Sequence, residues 1–182
     1  MKVDSMKESK TSKKNHGIIK GYAVNTNEGI NRNYNEDRVS IILNINKNGV
    51  KSFFFAIYDG HGGNNCCDFL NEHLHEYILN SKKFPSHPKQ AIMDGIKLAE
   101  KNFLAKVKSN YTNTSELDRS GSCLILALFV GDECYVANVG DSRAIMSANS
   151  GRSLCSLSRD HKPTDEKEQL RIIQSGGKIY RT

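Results

Sequence analysis

An α+β domain, with an antiparallel sheet at its centre and helices packed outside it, is the fold class this chain predicts. Three observations carry that prediction. Residue periods run from strand-like to helical, over two consecutive helices, and back to strand-like. Strand candidates in the second half are joined by links as short as Gly-Asp or Gly-Asp-Glu, which suit antiparallel neighbours and are too short for parallel crossovers. The 182 residues, 37% hydrophobic and 25% charged, are enough for one globular domain with a sizeable core.

Residues 1–16 form a basic stretch without the apolar centre of a signal peptide or anchor, and Lys2 stands where myristoylation needs Gly. The first 20 residues hold six Lys against Asp4 and Glu8, and so supply +4 of the net charge of +6. A solvated, flexible tail is the preferred reading, and nucleic-acid binding through it is disfavoured. No apolar run approaches the roughly 18 residues a membrane helix requires, so no membrane association is expected. Cys66 and Cys67 are adjacent, while Cys123, Cys134 and Cys155 are scattered. An odd number of cysteines without a CxxC pattern argues for reduced thiols in a cytoplasmic or nuclear protein.

Residues 17–25 (GIIKGYAVN) and 38–43 (RVSIIL) read as strands around the polar loop TNEGINRNYNED. Residues 52–58 are apolar on both faces, as a strand covered from both sides must be. The period then becomes helical over 64–80, with Phe69, Leu70, Leu74, Tyr77 and Ile78 on one face and His73 and His75 read as surface residues. After the break KKFPSHP, Pro88 opens a second helix whose Ile92, Ile96, Ala99, Phe103 and Val107 recur at spacings of three and four. The two helices are expected to pack as a hairpin. Residues 110–120 are loop-like, and SCLILALFV, CYVANV and SRAIMSA follow as a meander, with a weaker strand at 154–157. A short helix over 165–175 carries acids in its first turn and stops at Gly176 and Gly177.

The strand at 52–58 ends abruptly in Asp59, Gly60 and His61. A strand end fixes a carboxylate, glycine lets a backbone carbonyl approach an ion, and histidine changes charge near neutral pH. An Asp-Gly turn with an incidental histidine is the plain alternative. Arg32, Glu36 and Asp37 in the preceding loop and Asp141 in NVGDSRA weigh against it, since they also lie at strand ends or beside them. Acids from several strand ends can meet on one rim, and carboxylates without cysteine or histidine ligands select hard cations such as Mg²⁺ or Mn²⁺. A nearby arginine adds a bidentate anchor for phosphate. The chemistry suggested is metal-assisted hydrolysis of a phosphoester. His161, in DHKP, is read as structural.

Five segments stand in order between about Gly21 and Arg181: NEDR, FFFAIYDGHGG, SGSCLILAL, YVANVGDSRA and SRDHKPTDEKEQLRIIQSGG. Over that stretch the chain resembles the metal-dependent serine/threonine protein phosphatases of type 2C. The resemblance implies a central antiparallel β-sandwich flanked by helix pairs in four layers, α-β-β-α. It makes 17–182 a catalytic domain incomplete at its carboxyl end, because the family continues past the equivalent of Arg181 with two more metal-binding aspartates and the last strands. It implies that Asp59 bridges two Mn²⁺ or Mg²⁺ ions, that the Gly60 carbonyl binds one of them, and that Glu36 and Asp37 hold metal-bound waters. Arg32 would bind the substrate phosphate, His61 would protonate the leaving oxygen, and Asp141 would help hold a looser third ion. The implied reaction is hydrolysis of phosphoserine and phosphothreonine in phosphoprotein substrates by a metal-bridged hydroxide, without a phosphoenzyme, in a monomer where the domain is complete. The 182-residue chain alone is expected to be inactive. The alternative is a non-catalytic binding or regulatory module on the same fold.

Overall fold

The alternation of buried residues along the longest strand organises the molecule. The computed structural model describes residues 10–12, 17–30, 33–115 and 117–180, so Arg32 lies outside the described residues. In chain order the elements are β1 (Lys10–Ser12), β2 (Tyr22–Val24), β3 (Arg38–Lys47), β4 (Val50–His61), α1 (Asn65–Leu79), α2 (Pro88–Thr114), β5 (Gly121–Val130), β6 (Glu133–Val139), β7 (Ile145–Ala148), β8 (Ser153–Ser156) and α3 (Glu166–Gln174). Strands β3, β4, β5 and β6 form one antiparallel sheet in that order. Asn48 and Gly49, both at positive φ (54° and 79°), close the β3–β4 hairpin, as a tight two-residue turn with a right-handed strand twist requires.

Side chains alternate across a strand, so Phe54, Ala56 and Tyr58 of β4 and Leu124, Leu126 and Leu128 of β5 share one face and are all buried. The hairpin of α1 and α2 covers that face with Leu74, Ile78, Ile92, Ala99 and Phe103. The predicted helix face is present, with Leu70, Tyr77, Ile96 and Val107 at its partly buried margin. A small polar group is sealed inside: the Ser40 hydroxyl donates to Asn71 Oδ1 at 2.6 Å and lies 3.2 Å from the Tyr58 hydroxyl. Burial holds the Tyr58 phenol far above its ordinary range. His75 is also buried, against Phe54, and not on the surface as its sequence context suggested. Its place on α1 puts it on the Asn71 and Leu74 side of the helix, and burial favours its neutral form.

The opposite face of the sheet is covered less. Val39 and Ile41 pack with Tyr22, Val24 and Phe55, but Ile57 is 47% exposed, so β4 is not covered from both sides along its whole length. A cleft of about 480 Å³ separates that face from β2 and the segment at Arg143 and Ala144. The antiparallel sheet and its outer helix pair match the predicted class. Among the described residues, the remaining strands form two separate pairs, β1–β2 and β7–β8, and no second continuous sheet.

Several elements differ from the sequence reading. The strand expected over 17–25 is confined to Tyr22–Val24, and Lys10–Ser12, inside the stretch read as a flexible tail, pairs with it. Helix α2 runs on to Thr114, through part of the expected loop, and stops at Ser115 in the left-handed region (φ 60°). The meander breaks after β6: β7 pairs with β8 because the Gly140-Asp141 turn redirects the chain away from the sheet. Helix α3 begins where Asp165 caps it, accepting from the N–H groups of Lys167 (2.9 Å) and Glu168 (3.1 Å). Among the described residues no helix is long and apolar enough to cross a membrane.

The helix pair packs closely at Gly95, where a Cβ would stand 2.5 Å from Ile78 Cγ1 and 3.2 Å from the Ile78 nitrogen. Gly95→Ala gains about 1 kcal/mol of helix propensity but overpacks a buried contact at about 1–3 kcal/mol. A net loss on the order of 1 kcal/mol is expected, seen as a lower denaturant midpoint at unchanged slope. A rise in the midpoint would show that the two helices separate at no cost.

Candidate metal centre

The site is built where β4 leaves the core. The strand does not stop at Asp59: Gly60 pairs with Ser122 and His61 with Gly121, so the backbone stays extended through His61. Alternation sends the Asp59 side chain to the face away from the helices, whereas His61, at the end of the strand, borders a cavity with Leu70, Leu74 and Phe103 of the helix pair; both residues are exposed. Gly60 is required by contact, not by φ. A Cβ there would lie 2.5 Å from the Glu36 carbonyl oxygen and 3.0 Å from Cys67 Sγ. Beyond it, Gly62 and Gly63 adopt positive φ (68° and 124°), and a Cβ on Gly62 would come 2.9 Å from the Arg119 carbonyl oxygen.

The turn is pinned from two sides. The Gly63 N–H donates to Glu36 Oε1 at 2.7 Å, and the Cys66 N–H donates to Ser120 Oγ at 3.1 Å. Buried Glu36 thus spends one carboxylate oxygen on the loop that carries His61. Asp37 follows at the rim, and its N–H donates to Asn35 Oδ1 at 2.9 Å. A polar depression of about 170 Å³ is lined by Glu28, Glu36, Asp37, Asp59 and Gly60 among others. Four of the seven predicted residues, Glu36, Asp37, Asp59 and Gly60, meet there. His61 stands nearby, against Gly121, where a Cβ would overlap its ring.

Asp141 reaches the site from the other side. In the β4–β5 register Asp59 is paired with Cys123. One donor atom each from Asp59, Cys123 and Asp141 lies within 4.8 Å of the others. The Cys123 thiol contacts Asp141 Oδ1 at 3.5 Å. Burial pushes that thiol above its usual range. A sulfur therefore stands beside these carboxylates, one that the sequence reading did not include. The 159–162 segment straps the turn that presents Asp141: the His161 N–H donates to the Gly140 carbonyl at 2.9 Å, and Lys162 Nζ lies 3.7 Å from Asp141 Oδ2. Arg143 donates twice to Asp160 (2.9 and 2.8 Å), which holds the Asp160 carboxyl below the usual carboxylate range.

Sequence reasoning missed two residues. Cys123 could be found only from the strand register, which matches it with Asp59. Arg38, quoted within NEDR but given no role, donates from Nε to Asp68 Oδ1 (2.6 Å) and from a terminal nitrogen to the Asn35 and Asp37 carbonyls (2.8 Å each). It ties the loop bearing Glu36 and Asp37 to the first turn of α1.

An oxygen-rich donor set, with Glu28, Glu36 and Asp37 lining the depression beside Asp59 and Gly60, suits a divalent cation. Fold and site together define a class: an α+β domain that presents a cation-attracting rim at the end of an antiparallel sheet. The chain belongs to the protein phosphatase 2C family, whose family model matches residues 21–182. That family is metal-dependent. Among similar proteins, probable protein phosphatase 2C 56 of Oryza sativa subsp. japonica is 38% identical over 143 residues, which are 78% of this chain and 38% of that protein. Probable protein phosphatase 2C 11 of Arabidopsis thaliana is 35% identical over 146 residues, 80% of this chain and 36% of that one. The chain therefore spans well under half the length of these curated relatives. Two solved structures share the fold: serine-threonine phosphatase 2C from Toxoplasma gondii (TM-score 0.66, 21% identity, 80% of this chain and 51% of that chain) and a C. elegans sex determining protein (TM-score 0.67, 23% identity, 83% and 37%).

The structure makes Arg38 a clamp, and this can be tested without any ligand. Arg38→Ala leaves two carbonyls and one carboxylate without their donor, and is expected to lower stability on the order of 2 kcal/mol. Arg38→Lys should recover less than half, because one ammonium cannot span the three acceptors. Equal stability of Arg38→Lys and the parent in denaturant unfolding would show that the planar fork is not needed.

Proposed function

We propose that this chain is the metal-binding, amino-terminal part of a protein serine/threonine phosphatase that acts on phosphoproteins. The observation that carries the reading is the double membership of Asp59, which lines the depression with Glu36, Asp37 and Gly60 and also brings a carboxylate oxygen within 4.8 Å of one on Asp141. A carboxylate in that position is suited to lie between two cations, and Mn²⁺ or Mg²⁺ fits the oxygen donors, with a looser third ion on the Asp141 side. Bound there, such ions acidify water and offset charge on the attacking and leaving oxygens of a phosphoester.

The chain's own groups do the rest. Asp59 and the Gly60 carbonyl would hold the cations, and Glu36 and Asp37 would act on them through water. Arg32 anchors the substrate phosphate. His61, exposed at the end of β4 beside the loop pinned by Glu36, would give a proton to a leaving serine or threonine oxygen. The protein is proposed to work in the cytoplasm or nucleus, in keeping with its free cysteines.

In the natural full-length protein, Asp59→Asn is expected to lower turnover by several orders of magnitude. His61→Ala should cost about 10²–10⁴-fold on a phosphoserine peptide and far less on an activated aryl phosphate, whose leaving group needs no proton. Equal losses on both substrates would sink the general-acid role.

The second reading, a non-catalytic module on the same fold, is favoured by the few direct oxygen donors that the described residues bring together. With Asp59 and the Gly60 carbonyl as the direct ligands of the central pair, these ions are held mostly through water. Calorimetric titration of Mn²⁺ into the 182-residue chain should therefore show binding no tighter than millimolar, with phosphopeptide hydrolysis at background. Micromolar binding at two sites with robust turnover would overturn this expectation.

A further inference from the structure

The sulfur beside Asp59 has no part in the chemistry above. Cys123 lies opposite Asp59 in the β4–β5 register, which sets both side chains on one face of the sheet, and Asp141 closes the group with donor atoms within 4.8 Å of one another. Bonds of roughly 2.0–2.3 Å to a common ion put two donors at most about 4.5 Å apart, so only a small inward shift is needed for all three to share one cation. The sulfur is also held in place. Gly140, at φ +98°, lays its backbone against Cys123 so closely that a Cβ there would overlap Sγ. The turn bearing Asp141 is itself fixed by the His161 N–H and by Asn138, whose Nδ2 donates to the Gly140 carbonyl at 3.0 Å and the Arg159 carbonyl at 2.8 Å.

We propose that Asp59, Cys123 and Asp141 form a mixed sulfur and oxygen subsite that prefers thiophilic divalent ions, such as Zn²⁺ and Cd²⁺, over Mg²⁺ and Mn²⁺. The proposal deepens the reading of Asp59 as a metal ligand and rests on it. Thiolate is a soft donor that selects borderline and soft ions, whereas the depression on the other side of Asp59 offers oxygen alone. Binding exchanges the thiol proton for the metal: the S–H bond breaks, a sulfur–metal bond forms, and the proton goes to solvent. Lys162, 3.7 Å from Asp141 Oδ2, offsets part of the negative charge that would otherwise gather there. Cys123 is thus a specificity-determining residue, through which thiophilic ions would compete for Asp59.

The test is spectroscopic and needs no turnover. Cd²⁺ is titrated into the 182-residue chain carrying Cys134→Ser and Cys155→Ser, which removes the two exposed thiols, and the ultraviolet sulfur-to-cadmium charge-transfer band is followed. A saturable band is expected that disappears in Cys123→Ser and in Cys123→Ala and survives in Cys66→Ser. Asp59→Asn should raise its midpoint by about tenfold or more, and Mg²⁺ should fail to displace it at concentrations where Zn²⁺ does. Circular dichroism checks that each variant keeps its fold. A band that persists unchanged in both Cys123 variants would overturn the proposal. Should Asp59→Asn weaken Mn²⁺ binding while Cys123→Ser leaves the cadmium band intact, the subsite alone fails. If Asp59→Asn alters neither ion, the reading of Asp59 as a ligand fails with it.

Discussion

The contact between the Glu36 backbone and Gly60 is the constraint on which the rest of the site depends. A strand that stays extended past the core would ordinarily carry a side chain at that position, and a Cβ at 2.5 Å from a carbonyl oxygen cannot be accommodated by a rotamer change. The loop bearing Glu36 and Asp37 can therefore lie against β4 only because residue 60 is glycine. Once it lies there, the Glu36 side chain reaches the Gly63 N–H, and Arg38 reaches back to the carbonyls of Asn35 and Asp37. The depression is a consequence of that approach. Backbone proximity creates it, and two buried polar side chains hold it open.

Placement on β4 then gives Asp59 its particular position. Its neighbours Tyr58 and Gly60 face the helices, so Asp59 must face away from them, toward the rim where β5 and the Gly140-Asp141 turn arrive. Like charges brought together on one rim repel, and the structure meets that cost partly with fixed cations, Lys162 beside Asp141 and Arg143 against Asp160. A divalent ion would relieve the remainder. Carboxylates held together by a rigid scaffold, and not by mutual attraction, are the arrangement that favours cation binding over collapse.

The strands and helices that bury large apolar faces were legible in the sequence, because a core face writes its period directly: β4, β5, α1 and α2 were all found from it. The motif residues of the depression were legible too, since Asp59, Gly60, Glu36 and Asp37 stand next to those strands. What was not legible depends on pairing across the chain. Cys123 matters only through its register with Asp59, and no local pattern reveals which residue a strand will set opposite another. Arg38 read as the first residue of a strand, yet its side chain turns inward to Asp68, thirty residues on. His75 looked polar and therefore exposed, but the helical period had already put it near the buried stripe with Leu74 and Ile78. The broken meander has the same origin: a Gly-Asp link suits a hairpin, and only the strap of residues 159–162 shows why the chain turns elsewhere.

That strap also divides the site into halves of unequal rigidity. Asp59, Gly60 and Glu36 stand on strands and loops backed by Phe54, Tyr58 and the helix pair, so moving them would disturb the core. Asp141 is held by hydrogen bonds from the His161 and Asn138 donors to Gly140, while the elements that follow it, β7 and β8, leave Ile145 and Leu154 largely exposed. Few buried apolar contacts on that side mean a lower free energy for local opening. An ion bound between Asp59 and Asp141 therefore joins a rigid partner to a yielding one, and part of its binding energy goes into ordering the turn. Cations in the depression meet no such cost. On the proposed reading the inner half would therefore fill first, and the outer half, where the sulfur lies, would be the one whose occupancy responds to the kind of ion present.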